Sequence, residues 1–311
     1  MQYSRFSPAT LIFLLSFSTI AVRADLTIRY KNEHKLGSLP APMAAAMQQT
    51  QSLLPQFTII QVKGNNAYSN FGKLSSYTDF ATQKITLVDA AGKKFATVDM
   101  KDFADRLGAA IPALPQGAAQ PFEGMKSTSS SRKTGRNDTI LGVLAEETET
   151  ILSIEVSDSG GPLPAGPFAK QVIHIWTAKD EEALRVPAVR QWAGYTAYSN
   201  LLMDPFAAIR KIFTNMAGFG QAVAGMAEQG AKELVLKTHL ELYMPMLAAL
   251  RQTQDSDPNA AIMELDTEMV ELSTNPIEDS VFEIPSDYQS APVADIIKAQ
   301  IAAPATASAR P

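Results

Sequence analysis

Apolar and polar positions alternate along much of the first hundred residues. In DLTIRYKN, Leu26, Ile28 and Tyr30 would share one face of a strand while polar residues occupy the other. Turn-forming residues 64–66 separate two strand-like runs in FTIIQVKGNNAYSNFG, and residues 89–92 do the same in KITLVDAAGKKFATVDM. Each stretch therefore predicts a β-hairpin. Strands with one apolar and one polar face are typical of an antiparallel sheet.

The strand pattern continues through the second half of the chain. Its segments are DTILGVLAEETETILSIEVS, QVIHIWTA, ELVLKTHLELYM, AIMELDTEMVELS and, as the last strand, SVFEIP. Helical spacing occurs in KDFADRLGAAIP and in a region near 180–232, where 204–228 predicts an amphipathic helix, and LPAPMAAAMQQTQSLLPQ is a further candidate for a short helix. About ten or eleven strands exceed what an open sheet holds without curling. We therefore predict a mainly β (α+β) fold, a curved antiparallel sheet or unclosed β-barrel with helices covering one face.

Two stretches have compositions that favour irregular structure. Residues 112–131 are rich in Pro, Gly, Ala and Ser, which predicts a long mobile loop. Residues 290–311 are rich in Ala and Pro, which predicts a disordered tail in which VADIIKAQIAA forms at most a transient helix. Because strands resume after the loop, we predict a single domain over 25–289, with a helical insertion near 180–232.

The N-terminal sequence has the pattern of a secretory signal peptide. A short segment with Arg5 precedes an apolar run, and small residues stand before Asp25, so cleavage near Ala24 would remove residues 1–24. The predicted location is periplasmic or secreted. The chain has no cysteine, so neither a disulfide framework nor an acylated cysteine is expected.

The charge balance limits the classes of partner. The chain has 27 basic and 32 acidic residues, and removal of Arg5 and Arg23 would leave 25 against 32, a net charge of −7. Scattered charges without a basic run argue against binding nucleic acid and against electrostatic docking on anionic lipid. Membrane contact is expected to be transient at most.

The residues that usually carry catalysis are sparse. The histidines, His34, His174 and His239, have no metal-ligand spacing, so each is interpreted as a polar residue on a strand face. No cysteine nucleophile and no G-x-S-x-G motif occur. Adjacent acids such as Glu146 and Glu147 would point to opposite faces of a strand and are interpreted as solvated charge. The sequence predicts no enzyme, no metal and no cofactor.

Aromatic and methionine side chains are concentrated in and around the predicted helical insertion. At helical spacing they are most simply core residues. The alternative is that they line a cavity left by the curved sheet, with a glycine-weakened helix acting as a lid. On that hypothesis the candidate cavity residues are Trp176, Trp192, Tyr195, Phe206, Phe213, Met216, Phe219, Leu240 and Leu242.

Several segments in order resemble a known family. They are DLTIRYK, ITLVDAAGKKFATV, KTGRNDTILGVLAEE ahead of VIHIWTA, a helical insertion, and MVELSTNPIEDSVFEIPSDYQ with Phe282, Pro285 and Tyr288. The pattern resembles the LolA/LolB-like periplasmic lipoprotein-carrier superfamily and uncharacterised exported bacterial families near it. That resemblance implies an unclosed antiparallel barrel with a helical lid around an apolar cavity for acyl chains.

Two functions follow as expectations. The first is an exported, soluble, carrier-like protein that binds a lipid or the acyl chain of a lipoprotein. The alternative is an envelope protein-interaction or sensing module whose core is filled by its own side chains. No cargo-handling residue of the carriers can be matched to a position in this chain, and the oligomeric state is left open.

Overall fold

The computed structural model describes residues 25–37, 55–110, 125–156, 165–179, 184–202, 233–245 and 260–302. Its strands are β1 (Leu26–Leu36), β2 (Phe57–Lys63), β3 (Asn66–Phe71), β4 (Leu74–Asp79), β5 (Lys84–Asp89), β6 (Lys94–Asp99), β7 (Met125–Ile140), β8 (Val143–Val156), β9 (Gly166–Ala178), β10 (Val235–Tyr243), β11 (Met263–Ser273) and β12 (Gln289–Ser290). The α-helices described are α1 (Met100–Ala110), α2 (Pro187–Leu202) and α3 (Val293–Ala302), with a 3₁₀ turn at Asp279–Phe282.

All twelve strands belong to one sheet. Their order is β12-β6-β5-β4-β3-β2-β1-β11-β10-β9-β8-β7. Neighbours are antiparallel throughout, except that β12 runs parallel to β6. The terminal strands of this order, β7 and β12, do not pair with each other, so the sheet is open. The prediction of a mainly β fold with an unclosed, mostly antiparallel sheet is confirmed.

Tight turns at positive φ connect the hairpins. Gly64, at φ +56°, begins the β2–β3 turn that the sequence predicted. Leu141 and Gly142, at φ +49° and +77°, connect β7 to β8. Consecutive residues at positive φ match the right-handed twist of the flanking strands. DTILGVLAEETETILSIEVS, which was predicted to belong to the second set of strands, therefore contains the end of one strand, a turn and a second strand.

The apolar core lies where the three helices contact the sheet. Leu26 and Ile28 of β1 are fully buried, and so is Ile296 of α3. Met100 of α1 and Val189 of α2 belong to the same contiguous cluster. Because side chains alternate along a strand, this cluster collects one face of β1, β2, β5 and β6. All three helices reach that cluster, so they cover the same side of this part of the sheet.

The segment between β11 and β12, residues 274–288, is called the strap here. It contains SVFEIP, which was predicted as a strand, but the structure has a 3₁₀ turn followed by irregular chain. Pro276 and Pro285 interrupt the segment, and a proline cannot donate to a strand ladder. Phe282 and Ile284 lie above β3 to β6, where a small cavity of about 240 Å³ remains beneath them.

Polar contacts fix both ends of the strap. At one end the Lys63 Nζ atom donates to the Ile277 carbonyl at 2.6 Å and pairs with Asp279 at 2.7 Å. At the other end Lys93 pairs with Asp287 at 2.6 Å. Between these contacts the strap crosses β3 to β6, and β12 follows it along the outer edge of β6.

Two predictions of irregular structure need correction. Residues 125–131, assigned to a mobile loop, form the start of β7 and pair with β8. The tail was predicted to be disordered from residue 290, but residues 293–302 form α3, with Ile296 and Ile297 buried in the core. Tertiary burial stabilises a short helix that would be marginal alone. The signal peptide and residues 112–124, 203–232 and 303–311 lie outside the described residues.

Candidate functional site

Five of the nine predicted cavity residues lie in the described part of the chain. Trp192 and Tyr195 are on α2, Trp176 is on β9, and Leu240 and Leu242 are on β10. The others, Phe206, Phe213, Met216 and Phe219, lie outside the described residues.

An aromatic group formed by Phe80, Trp192 and Tyr195 lies between α2 and the sheet. Residues three apart on a helix are neighbours on its surface. The rings of Trp192 and Tyr195 are accordingly 5.6 Å apart between centroids. Tyr195 also meets Phe80, which follows β4, edge-on at 5.7 Å. Burial raises the pKa of Tyr195 to about 12. Both α2 residues are half-buried against the core, so they stand at its margin.

The other predicted residues have different surroundings. Trp176 contacts the core cluster but also carries the Lys237 ammonium over its ring, at 5.1 Å from the centroid. Leu240 and Leu242 are half-buried, and Leu240 is paired with Ile173 of β9 and Leu265 of β11. The structure therefore joins Trp192 and Tyr195 directly, places Trp176 against the same core, and brings neither leucine into that cluster.

Two histidines that the sequence separates by 65 positions are direct neighbours in the sheet. His174 of β9 pairs in register with His239 of β10, and their rings stack at 6.1 Å between centroids. The Nδ1 atom of His174 lies 2.7 Å from a Glu147 carboxylate oxygen. The Nδ1 atom of His239 lies 2.7 Å from an Asp266 oxygen. We call Glu147, His174, His239 and Asp266 the histidine row; it crosses β8 to β11.

Glu147 is the buried end of the histidine row. Its side chain has no solvent exposure, yet it carries a carboxylate. Arg136 contacts both carboxylate oxygens through Nε and Nη2, and Thr134 donates its hydroxyl at 2.8 Å. A bulge between Lys133 and Asn137, with Gly135 at φ +79°, brings Thr134 and Arg136 to the same acid. The prediction that Glu147 is solvated is wrong, because these partners satisfy a buried charge.

His239 lies in an acidic environment at the other end of the row. Partial burial alone would lower its pKa, but the hydrogen bonds and charges of Asp266 and Glu241 outweigh burial. The pKa of His239 is therefore raised above its usual value. Asp266 of β11 faces Nδ1 of the ring at 2.7 Å, and Glu241 of β10 lies 3.5 Å from Nε2.

The histidine row is a network of two imidazole–carboxylate contacts. Within the described residues, no group of three or more His, Asp or Glu side chains has the geometry to hold a metal ion. In the same residues no serine, threonine or tyrosine hydroxyl is hydrogen-bonded to either imidazole. The row joins β8 to β9 through Glu147 and His174, joins β10 to β11 through His239 and Asp266, and the stacked imidazoles join β9 to β10. Strand register brings His174 and His239 together, and only a correct pairing of β9 with β10 could have revealed this from the sequence.

A groove lies beside β6, between α1 and α3. Its volume is about 590 Å³. The charged residues of its lining are Lys84, Asp99, Asp102 and Arg106, and its apolar lining includes Val98 and residues 291–294. It is separate from the aromatic group of α2 and from the histidine row. Sequence analysis did not find it, because α3 was predicted to be disordered.

No described helix combines the length and the apolar character needed to cross a membrane.

Comparisons with known proteins identify no family for this chain. No family model and no curated protein matches it. Among solved structures there is a match to a chain described as "Structure of PNGF-II in C2 space group", at 10% identity and a TM-score of 0.33. The match covers 90% of this chain and 33% of the other, so this chain spans about a third of that protein's length. A TM-score at this level carries no argument about fold or function.

Proposed function

We propose that this protein is an exported carrier-like protein that binds the acyl chain of a lipid or lipoprotein between its open sheet and its helices. The observation that carries the proposal is the half-buried aromatic pair of α2, Trp192 and Tyr195, at the margin of the core. Aromatic side chains at such a margin offer a large apolar surface to a flexible chain.

The architecture supports this proposal in general terms. A curved sheet with helices on one face is the arrangement expected of the LolA-like carriers that the sequence resembles. The helix α2 ends at Leu202, and the next residues, 203–232, contain the remaining aromatic and methionine candidates. Those residues lie outside the described part of the chain, so the proposed acyl site is defined by Trp192 and Tyr195.

Apolar contacts alone are sufficient to hold an acyl chain. Burial of one methylene contributes about 0.8 kcal/mol, so ten would contribute about 8 kcal/mol. That energy corresponds to a dissociation constant of about 1 μM before the costs of association are subtracted. A charged anchor for the headgroup is therefore unnecessary.

The first test is extraction of lipid from the native protein. The mature chain is purified from the exported fraction without detergent, extracted with organic solvent and analysed by mass spectrometry beside an unrelated exported protein. We expect about one lipid per chain in the extract. A clean extract from correctly folded protein would contradict acyl binding and favour the protein-interaction module.

A variant pair connects the lipid to the aromatic group. Trp192→Asp places a charge at the proposed site and should reduce bound lipid at least about tenfold, because an unpaired carboxylate in an apolar site is costly. Leu141→Asp is the matched control, since Leu141 is 49% exposed in the β7–β8 turn. It should retain lipid. Equal lipid in both variants, with native circular dichroism spectra, would place the lipid elsewhere.

A further inference from the structure

The outer edge of β6 is only partly covered. The two-residue strand β12 pairs with Lys94 and Phe95. Beyond Phe95, residues 96–99 have no strand on their outer side within the described residues. An uncovered edge presents unpaired N–H and C=O groups that another chain can use.

The groove beside β6 opens on this edge. Ala96 and Val98 belong to the core side of the strand, and Thr97 and Asp99 to the opposite side. All four line the same groove. Because successive side chains of a strand point to opposite faces, a groove bordered by both sets must include the edge itself. Its volume of about 590 Å³ is within the range of ordinary ligand sites, about 300–1,000 Å³.

The backbone of the uncovered residues is oriented into the groove. The backbone N–H of Gln289 donates to the Lys93 carbonyl at 2.9 Å, and that of Ala291 donates to the Phe95 carbonyl at 2.8 Å. The carbonyls of these alternate residues therefore point outward. In a strand the N–H and C=O of one residue point to the same side, so Thr97 and Asp99 direct both groups outward as well.

Among the described residues, the chain turns away from the edge of β6 after β12. After β12 it reaches Pro292, which has no N–H for a strand ladder. The Pro292 carbonyl accepts from the Asp295 N–H at 3.0 Å as α3 begins. Strand pairing thus stops after two residues, while the edge of β6 continues to Asp99. The wall of the groove is formed by α1 on one side and by the start of α3 on the other.

We infer that the outer edge of β6, from Ala96 to Asp99, binds an extended segment of a partner polypeptide as an added strand. The added strand takes the place that β12 would occupy if it continued. Strand addition draws its affinity from main-chain hydrogen bonds and its selectivity from flanking side chains. Those side chains include Arg106, Asp102 and Lys84, and Lys84 also faces Asp79 across the β4–β5 pair. They select for a segment that carries both signs of charge.

This inference does not rest on acyl binding, because the groove and the aromatic pair of α2 are different places. The probe is a phage library of random twelve-residue peptides, selected against the complete purified protein. An enriched peptide is then synthesised, and its dissociation constant is measured by isothermal titration calorimetry.

Two substitutions at Thr97 test whether its backbone N–H, on the outer edge of β6, contributes to peptide binding. Thr97→Pro removes that N–H, and proline is tolerated on an edge strand. Thr97→Val retains it. Both lose the 2.8 Å hydrogen bond between the hydroxyls of Thr97 and Thr86, so that loss is common to the pair. We expect Thr97→Val to bind as the native protein does and Thr97→Pro to bind at least about tenfold more weakly, as expected for loss of a main-chain hydrogen bond.

A second measurement uses the native protein only. Peptides methylated at successive backbone nitrogens should lose affinity at every second position, because alternate N–H groups face the edge of β6. The inference is overturned if no peptide is enriched or if Thr97→Pro binds as well as Thr97→Val. It is also overturned if the native protein is a dimer by analytical ultracentrifugation that Thr97→Pro converts to a monomer, because the edge would then belong to a second copy.

Discussion

At the scale of single residues, Glu146 and Glu147 show how strongly the fold determines the burial and the partners of a side chain. The two acids are adjacent, and alternation correctly places them on opposite faces of β8. Glu146 reaches Lys133 at 2.7 Å near solvent, while Glu147 is completely buried. The difference comes from the bulge at Gly135, which brings Arg136 to Glu147. A bulge leaves little trace in sequence alternation, so the burial of Glu147 could not be predicted.

Arg136→Met should destabilise the protein by about 3 kcal/mol, because the buried Glu147 carboxylate then keeps only Thr134 and His174 as partners. The measurement is urea unfolding at pH 7. Adding Glu147→Gln to Arg136→Met should recover part of the loss, since the unpaired charge is then gone.

Arg132→Met is the matched control for that prediction. Arg132 pairs with Glu149 at 2.8 Å and is exposed to a similar extent as Arg136, but the Glu149 side chain keeps 15% exposure whereas that of Glu147 has none. Surface pairs contribute about 0–1 kcal/mol. If Arg132→Met costs as much as Arg136→Met, the Glu147 site has no special role in stability.

The raised pKa of His239 predicts a dependence of stability on pH. A group whose pKa is raised by folding stabilises the protein below its unfolded pKa, near 6.5, and loses that contribution as the pH rises through the folded pKa. As the pH rises above about 6.5, the free energy of unfolding should therefore fall more steeply in the native protein than in His239→Gln. The groups around the ring are Asp266, Glu241 and, through stacking, His174.

The difference in free energy of unfolding between the native protein and His239→Gln separates the contribution of His239 from those of other titrating groups. Burial lowers the pKa of His34, so its contribution has the opposite sign, but it is present in both proteins. Urea unfolding at half-unit steps of pH measures the difference. Parallel curves would show that the contacts of His239 with Asp266 and Glu241 do not stabilise the charged imidazole.

At the scale of elements, local signals were sufficient for some segments and not for others. The β2–β3 and β5–β6 hairpins and α1 follow from turn residues and helical spacing, and the structure confirms them. The strand β7 was missed because it is an edge strand, polar on both faces over most of its length. An edge strand is identified by the neighbour it pairs with, and composition alone predicts a loop.

The helix α3 is the element whose role differs most from its prediction. Ile296→Ala should cost about 2–5 kcal/mol, because Ile296 is fully buried. Lys298→Ala, an exposed change on the same helix, should cost no more than about 0.5 kcal/mol. Thermal unfolding of the two variants compares them directly.

A truncation tests the same element in another way. A chain ending after Pro292 should expose α1, which packs against α3, and should be markedly less stable than the complete chain. A truncated chain as stable as the complete one would support the original prediction of a disordered tail.

At the scale of the whole molecule, the sheet order follows from pairings between distant segments. The first strand, β1, lies in the middle of the sheet and pairs with β11, so Thr27 faces Ser273 across almost the entire described chain. Alternation predicts that such strands exist and which face is apolar, but it does not name their partners. For the same reason the residues of the histidine row and the groove could be listed from the sequence only as isolated side chains, and not as sites.

The positions of the two proposed sites explain why one chain could carry both. The aromatic pair lies under α2, on the side of the sheet that the helices cover, whereas the peptide edge is at the end of the strand order. The strap crosses β3 to β6 on the side of Thr86 and Thr97, opposite the helices, and leads into β12 and α3. A displacement of α3 would therefore change both the wall of the groove and the packing of the core. Measuring the proposed acyl binding and peptide binding each alone and then together tests whether α3, which belongs to both the core and the groove wall, couples the two sites.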